Sequence, residues 1–354
     1  MFGDIDFDER PLVLIWELTQ ACELACKHCR ADAQPRRHPD ELTTAEGKAL
    51  LDEARQFGEG QLVVLSGGDP LAREDVVELV DYGTDCGLQM TLTPSGTTSL
   101  TADALADLEA AGLRRLALSI DGGSEAAHDR FRGEDGSFEA TIQAAEVARE
   151  QGIPLQVNTT VCAETVEQLP AIRDLVADLG AVLWSVFFLV PVGRGRVLTP
   201  ITSERAERVM EWLHDVADEA RFGVKTTEAP HYRRVAAQRA GGEDDGLRRR
   251  RGVRAGKGFA YVSHTGEVYP SGFLPESAGN VREASVVDVY RHADLFESLR
   301  DDDALQGDCG ACEFRTVCGG SRSRAYAHTG DPLAEDPLCA YDPRSASEQA
   351  PADD

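Results

Sequence analysis

Three cysteines near the amino-terminal end of the chain have the spacing of a metal-binding site. Cys22, Cys26 and Cys29 are four and three residues apart, and they follow an apolar run at 12–18. A tetrahedral structural zinc site needs four ligands, whereas three thiolates suit a four-iron four-sulfur (4Fe–4S) cluster with one open iron. Because an open iron can bind a further ligand, the spacing predicts a cluster that takes part in chemistry.

This CxxxCxxC spacing resembles the signature of the radical SAM enzymes. In that family, S-adenosylmethionine chelates the fourth iron, and one electron cleaves it to methionine and a 5′-deoxyadenosyl radical that abstracts hydrogen from a C–H bond. The resemblance implies that Cys22, Cys26 and Cys29 are catalytic metal ligands. It also implies S-adenosylmethionine as a cofactor and an electron donor such as ferredoxin or flavodoxin as a partner. A zinc ribbon or stray buried cysteines are the alternatives.

Two further motifs support the resemblance. Ser66-Gly67-Gly68-Asp69-Pro70 resembles the family's GGEP motif with Asp for Glu, and Ser119-Ile-Asp121-Gly122 resembles its SxDG motif. The first implies backbone contacts with the methionine amino group, since glycine lets a backbone approach a ligand closely. The second implies contacts with the ribose or the amino acid part of the cofactor.

The resemblance implies four more cofactor contacts. Arg132 is expected to pair with the methionine carboxylate through a bidentate ion pair, its alternative being a surface salt bridge. Asn158 is expected at the ribose, and His28 beside the adenine without binding metal. The run Val190-Pro-Val-Gly-Arg-Gly195 is expected to pass close to the adenine, with Val190 in contact.

A second set of cysteines lies near the carboxyl-terminal end: Cys309, Cys312, Cys318 and Cys339. Four thiolates can hold a second 4Fe–4S cluster, and they can equally hold zinc. The segment resembles the SPASM/twitch module of radical SAM enzymes, which favours iron and sulfur. Ser271 and Ser321 stand where many members of that family have cysteine. We therefore predict one auxiliary cluster.

Within this family the chain most resembles the heme-biosynthesis group, which includes the alternative heme synthase and the heme d1 enzymes. The residues that carry this resemblance are Cys29-Arg30-Ala31, Val190–Gly195, Ala229-Pro-His231-Tyr232 and the run from Cys318 to Asp331. The two serines at cysteine positions indicate a sister subfamily. A tetrapyrrole substrate is therefore expected. The alternatives are a maturase of a ribosomally made peptide and a non-catalytic iron–sulfur or zinc protein.

Short apolar runs alternate with helical patterns from residue 12 to about 190. The predicted strands are Leu12–Glu17, Leu62–Ser66, Gln89–Thr93, Leu116–Ile120, Leu155–Thr160 and Leu183–Val190; the predicted helices are Thr44–Phe57, Glu74–Cys86, Ala102–Ala111, Phe138–Gln151 and Val166–Leu179. This alternation predicts an α/β fold with a parallel sheet closed part-way into a (β/α)6 barrel. Active residues should then lie at the carboxyl ends of the strands.

The predicted organisation has four parts. They are a radical SAM partial barrel at 1–200, a linker helix and flexible loop at 201–257, an auxiliary cluster module at 258–343 and a disordered tail at 344–354. A hairpin that turns at Thr265-Gly266 is expected to begin the auxiliary module, because Gly is a common residue in tight hairpin turns.

Composition limits the partners and the location. The net charge is −26, which argues against nucleic acid or an anionic membrane as a partner, since basic patches bind those. No apolar stretch is long enough to span a membrane, and the amino-terminal end has no signal-peptide pattern. These features predict a cytoplasmic protein, in which nine cysteines serve as metal ligands more readily than as disulfides.

The excess of acidic residues predicts that the stability of the protein depends on salt concentration. The chain has 62 acidic and 36 basic residues but only four lysines, a pattern of halophilic proteins and also of GC-rich codon usage. Carboxylates repel one another in dilute buffer, and salt screens that repulsion over about 10 Å at 0.1 M. We expect the melting temperature to be highest in molar salt. Equal melting temperatures in dilute and molar salt would favour codon usage.

Overall fold

The ten strands of the described residues form one sheet. The computed structural model describes residues 5–240 and 252–343, so the predicted loop at 241–251 and the predicted tail at 344–354 lie outside the described residues. In the described part the strands are β1 (Val13–Thr19), β2 (Leu62–Gly67), β3 (Gln89–Leu92), β4 (Arg115–Ser119), β5 (Leu155–Val161), β6 (Leu183–Phe188), β7 (Gly223–Thr227), β8 (Phe259–Val262), β9 (Glu267–Tyr269) and β10 (Gly279–Asn280).

The sheet order is β10-β9-β8-β1-β2-β3-β4-β5-β6-β7. Strands β1 to β7 pair in parallel with their neighbours, which confirms the predicted parallel sheet. The predicted hairpin is confirmed as the antiparallel pair of β8 and β9. Its first strand also pairs in parallel with β1, so the sheet continues past the predicted module boundary at residue 258.

The described residues also form twelve α-helices. They are α1 (Thr44–Ala54), α2 (Val76–Asp85), α3 (Ala102–Ala110), α4 (Glu125–Arg132), α5 (Ser137–Glu150), α6 (Leu169–Asp178), α7 (Ser203–Glu219), α8 (His231–Arg239), α9 (Val286–His292), α10 (Asp294–Arg300), α11 (Gly307–Ala311) and α12 (Arg322–Thr329). The five helices predicted before residue 190 are all present. Helix α4 was not predicted, because it is short and polar.

Local capping fixes where α4 begins and ends. The Ser124 hydroxyl accepts a hydrogen bond from the backbone of Ala127, and Gly133 ends the helix with φ of 76°. A hydroxyl at the N-cap satisfies a free N–H group, and glycine adopts positive φ without steric cost. Helix α4 therefore ends immediately after Arg132, one of the predicted cofactor contacts.

Side chains alternate between the two faces of each central strand, as the two-residue period of a strand requires. In β4, Leu116 and Leu118 are fully buried in the core, whereas Arg115, Ala117 and Ser119 line an internal cavity. A parallel sheet covered by helices on both faces is normally apolar on both. Here the inner face is partly polar, because it bounds a cavity and not a second layer of helices.

Candidate active site

The Gly67-Gly68 turn lies directly against the cysteine loop. A Cβ atom at Gly68 would lie 2.3 Å from the carbonyl oxygen of Ala21, and one at Gly67 would lie 2.5 Å from that of Thr19. The backbone N–H groups of Gly68 and Asp69 donate to the same two carbonyls, at 2.8 and 2.6 Å. Only glycine permits this approach, so the motif positions the loop that carries the cysteines.

The three cysteine side chains line one cavity of about 120 Å³, together with Gly67 and Gly68. Backbone N–H groups point at two of the sulfurs, from Leu24 to Cys22 at 3.3 Å and from Ala33 to Cys29 at 3.5 Å. Burial raises the pKa of Cys22 and of Cys26, so these thiols release protons when a metal binds.

The structure brings Arg132, Asp121 and His28 together beside this cavity. An Arg132 Nη1 atom lies 3.3 Å from Asp121 Oδ2 and 3.4 Å from His28 Nε2. The other Asp121 oxygen accepts from the backbone N–H of Thr160 at 2.7 Å. Burial lowers the pKa of His28 to about 4, and Arg132 contributes to this shift, so the ring is neutral at pH 7. The His28 ring also stacks on Phe131 with centroids 4.8 Å apart.

Asp69 and Pro70 line neither cavity, and the Asp69 side chain holds a neighbouring loop. Its carboxylate accepts from the hydroxyl of Thr97 at 3.0 Å and from the backbone of Leu71 and Ser95 at 3.1 and 3.4 Å. The Ser95 hydroxyl in turn lies 3.3 Å from the Cys22 sulfur. Sequence reasoning missed Ser95, because a serine in a loop carries no distinguishing signal.

Arg194 is a second residue that sequence reasoning missed. Its guanidinium donates to the backbone carbonyls of Cys26 at 3.0 Å and Ala33 at 2.8 Å. The preceding Gly193 has φ of 53°, and a Cβ atom there would lie 2.4 Å from the carbonyl of Arg30. The Gly-Arg-Gly run after β6 was noted in the sequence, where it was expected to pass close to the adenine. In the structure, this run also holds the cysteine loop in position.

The hydrogen-bond donors around the smaller cavity fit the two groups that the sequence implies, a 4Fe–4S cluster and S-adenosylmethionine. Arg132 Nε, His28 Nδ1 and Arg194 Nη2 are buried there without a hydrogen-bond partner among the described residues. Buried donors require acceptors, and an anionic cluster with a ligand carboxylate supplies them. Within 5–240 and 252–343, no three His, Cys, Asp or Glu side chains could hold one metal ion. Thiolates that bind different irons of a cluster need not converge on one ion.

A larger cavity of about 540 Å³ adjoins the smaller one. Both cavities are lined by His28, Cys29, Ser66, Gly67 and Ser119. The predicted contacts Asp121, Asn158 and Val190 line the larger cavity, and Arg132 lines the smaller one. The two predicted motifs and the cysteines therefore meet at the carboxyl ends of the strands. A cavity of this volume is within the range of about 300–1,000 Å³ for small-molecule sites.

Arg30 connects the cysteine loop to β1 and the carboxyl-terminal hairpin. Its guanidinium donates to Glu17 at 3.3 Å and to the Tyr261 hydroxyl oxygen at 2.9 Å, and it lies over the Tyr261 ring. His264 Nδ1 lies 2.6 Å from the other Glu17 oxygen. Burial alone would raise the pKa of Glu17, but His264 and Arg30 outweigh it and lower the pKa. This buried network fixes one wall of the larger cavity.

The second cysteine set also comes together in space. Burial raises the pKa of Cys318 to about 12 and that of Cys339 to about 11, and the Cys309 thiol is close enough to add to both shifts. Burial also raises the pKa of Cys312, and the nearby Cys309 thiol adds to this shift. Backbone N–H groups of Phe314 and Gly320 donate to the sulfurs of Cys312 and Cys318, both at 3.4 Å. Four thiols that lie together and receive backbone N–H donors can ligate a metal centre.

Ser271 and Ser321, the two serines at cysteine positions, meet at one carboxylate. The Ser271 hydroxyl donates to Glu228 at 3.1 Å, the Ser323 hydroxyl at 2.9 Å, and the Ser321 hydroxyl donates to the other Glu228 oxygen. Glu228 follows β7 and lines the larger cavity. A satisfied serine–glutamate network therefore occupies the two positions at which the family resemblance implies cysteine.

Asp336 joins the second cysteine set to the sheet. It is buried, 3.0 Å from Arg324 Nη1 and 3.2 Å from His231 Nε2. Arg324 also donates to the backbone carbonyls of Phe188 and Leu189 at the end of β6, each at 3.3 Å. Burial alone would raise the pKa of Asp336, but Arg324 and His231 outweigh it and lower the pKa far below its ordinary value.

We expect Asp336→Asn to lower the free energy of unfolding by about 3–5 kcal/mol, because it leaves Arg324 buried without its counter-charge. Since the folded-state pKa is lowered, the carboxylate stabilises the wild type above its unfolded pKa of about 3.9, and acidification below that value removes the contribution. Denaturant unfolding at pH 7 measures the loss. The exposed Asp107→Asn is the matched control, with an expected change within about 0.5 kcal/mol. Equal losses in both variants would contradict the assignment.

Comparison with known proteins agrees with this geometry. Residues 16–176 match the model of the radical SAM superfamily. The AdoMet-dependent heme synthase of Methanosarcina barkeri is 42% identical, across 94% of this chain and 97% of that protein. The AdoMet-dependent heme synthase of Nitratidesulfovibrio vulgaris is 40% identical, across 94% and 93%. The mycofactocin maturase MftC of Mycolicibacterium smegmatis is 30% identical, across 94% and 83%.

The chain therefore belongs to the radical SAM superfamily and is a radical SAM enzyme. Its fold is that of Streptococcus suis SuiB solved with S-adenosylmethionine, with a TM-score of 0.74, 16% identity and coverage of 94% of this chain and 78% of that one. Membership implies a 4Fe–4S cluster and S-adenosylmethionine as cofactors. Among the described residues, no helix combines the length and the apolar character needed to cross a membrane.

Proposed function

We propose that this enzyme acts on a tetrapyrrole and converts propionate side chains to vinyl groups. One observation carries the substrate proposal: the cavity of about 540 Å³ borders the cysteine site at Cys29 and Ser119, and several aromatic and cationic side chains are among those that line it. Phe187, Phe259 and Phe273 offer flat apolar surface to a macrocycle. The relatives named heme synthases, 40% and 42% identical over nearly the whole chain, support the same substrate class.

In this proposal Cys22, Cys26 and Cys29 hold the catalytic cluster. Gly67, Gly68, Ser119 and Arg132 would hold S-adenosylmethionine, Asn158, Val190 and His28 would contact its nucleoside end, and Asp69-Pro70 would support the turn. When bound, these groups supply the 5′-deoxyadenosyl radical that begins C–H chemistry. A propionate that loses one hydrogen atom, one electron and CO2 becomes a vinyl group.

The chain's own residues orient the reactants and exclude water. Asp121 holds Arg132 in place and is itself fixed by the Thr160 backbone, so the guanidinium is preorganised for a carboxylate. The stacked pair of His28 and Phe131 closes one side of the cysteine site. Arg194 fixes the cysteine loop through backbone carbonyls. Each contact reduces the motion that would misplace the reacting carbon.

We further propose that Cys309, Cys312, Cys318 and Cys339 would hold one auxiliary 4Fe–4S cluster, which would supply an acceptor for the electron released with CO2. The N–H donors at the sulfurs support thiolate ligation of a metal centre, and the resemblance to the SPASM/twitch module favours iron and sulfur over zinc. The proposed architecture is a partial barrel at 1–200, a linker at 201–257 and an auxiliary module of SPASM/twitch type at 258–343. In its support, inner-face residues of β1 to β8 line one cavity, which needs a curved sheet. We also propose that the enzyme is cytoplasmic and that ferredoxin or flavodoxin reduces it.

The test is incubation of reduced, cluster-loaded protein with S-adenosylmethionine and Fe-coproporphyrin III, followed by mass spectrometry. We expect successive losses of about 46 Da, the mass of CO2 and two hydrogens, with release of 5′-deoxyadenosine. Protein without reductant is the control. Release of 5′-deoxyadenosine with an unchanged porphyrin mass would count against the tetrapyrrole proposal. Modification of a small peptide would then favour peptide maturation.

A further inference from the structure

Three cationic side chains share one wall of the larger cavity. Arg115 is the first residue of β4, Lys225 lies in the middle of β7, and Arg233 lies on α8; all three line the cavity. Arg115 and Arg233 are close enough to Lys225 for their charges to act on its ammonium group. These three residues, here called the cationic wall, come from separate parts of the chain and meet only in the folded protein.

Lys225 and Arg115 have no acidic partner among residues 5–240 and 252–343. The neighbouring charges that act on Lys225 are both positive, and so is the Arg114 charge that acts on Arg115. Elsewhere in the described chain, Lys48 pairs with Glu78 and Lys257 with Asp302. Although the protein has a net charge of −26, these two cavity-lining cations therefore leave uncompensated positive charge at the cavity wall.

The like charges around Lys225 make this arrangement costly. Its side chain is solvent-exposed, and it lines the cavity beside Arg115 and Arg233. Desolvation by the surrounding protein and the charges of Arg115 and Arg233 together lower the pKa of Lys225 to about 8. Like charges in an enclosed site repel one another strongly. An anion bound between them would remove this repulsion.

The cationic wall lies away from the cysteines. Arg115 and Ser119 are four residues apart on β4, which is about 13 Å at 3.3 Å per residue. Ser119 borders the cysteine cavity, so the wall and the site of radical formation are at different ends of the larger cavity. A flat macrocycle with carboxylates on opposite edges is long enough to reach both.

We infer that Lys225, Arg115 and Arg233 bind the carboxylates of substrate propionates that are not reacting, and so set which edge of the macrocycle faces the radical. This inference rests on the proposed function and adds the site that selects the substrate's charge and orientation. Arginine pairs carboxylates bidentately and lysine supplies a compact point charge, so the set suits two neighbouring propionates.

The test is equilibrium binding of Fe-coproporphyrin III to cluster-loaded protein without reductant, followed by visible absorption. We expect Lys225→Met to weaken binding about 10- to 100-fold, the equivalent of one charged hydrogen bond. Lys225→Arg should stay within about threefold of the wild type, since it keeps the charge. Lys48→Met removes a lysine that pairs with Glu78 on the outer surface and should bind like the wild type.

A fold control accompanies the titration. We expect Lys225→Met to keep its full iron content and to melt no lower than the wild type without ligand, because the substitution removes repulsion. If the wild type binds the porphyrin and Lys225→Met binds it equally well, the inference is wrong while the proposed function stands. If the wild type does not bind the porphyrin, the proposed substrate and this inference both fail.

Discussion

Replacing Cys26 with alanine is expected to abolish release of 5′-deoxyadenosine from S-adenosylmethionine. Two thiolates cannot hold a cluster whose three protein-bound irons each need one. Cys26 is also buried beside Arg132, so no other thiol can take its place without moving the cysteine loop. The measurement is 5′-deoxyadenosine formed by anaerobically prepared protein with a strong reductant.

Cys86 provides the matched control for this variant. It lies at the end of α2 outside both cysteine sets, with its thiol near Asp52. Cys86→Ala should therefore release 5′-deoxyadenosine like the wild type. Unchanged product from Cys26→Ala would overturn the assignment of the catalytic cluster. Equal loss in both variants would point to general damage of the fold.

The second large effect concerns the metal content. The wild type should bind about eight irons per chain with equal acid-labile sulfide, two 4Fe–4S clusters. Replacing Cys22, Cys26 and Cys29 together should leave about half of the iron. Replacing Cys309, Cys312 and Cys318 should remove the other half while the first cluster's absorption remains.

Iron, sulfide and zinc analysis of the same samples decides between the alternatives. About twelve irons in the wild type would mean a third cluster, in spite of the serine–glutamate network at Ser271, Ser321 and Glu228. One zinc lost with the carboxyl-terminal cysteines would make that module a structural zinc site. Either result would leave the prediction for Cys26 unaffected.

Much of the fold was predictable from sequence, because its signals are local. The apolar runs of β1 to β6 and the amphipathic helices between them follow from periods of 2 and 3.6 residues, and their boundaries agree within a few residues. The pairing of β8 with β1 was not predictable. It joins segments more than 200 residues apart, and strand pairing over such a distance depends on the path of the whole chain.

The candidate site divides in the same way. The spacing of Cys22, Cys26 and Cys29 and the glycines after β2 determined the family and its chemistry, since a loop of eight residues needs no distant partner to bring its ligands together. Only the tertiary structure decided what surrounds them. Arg194 reaches Cys26 across the strand ends, and Ser271 and Ser321 meet at Glu228. Lys225 faces the cavity beside Arg115 because β4 and β7 direct alternate side chains to the same inner face. A single-residue shift in either strand would turn those charges outward, and register is a property of the assembled sheet.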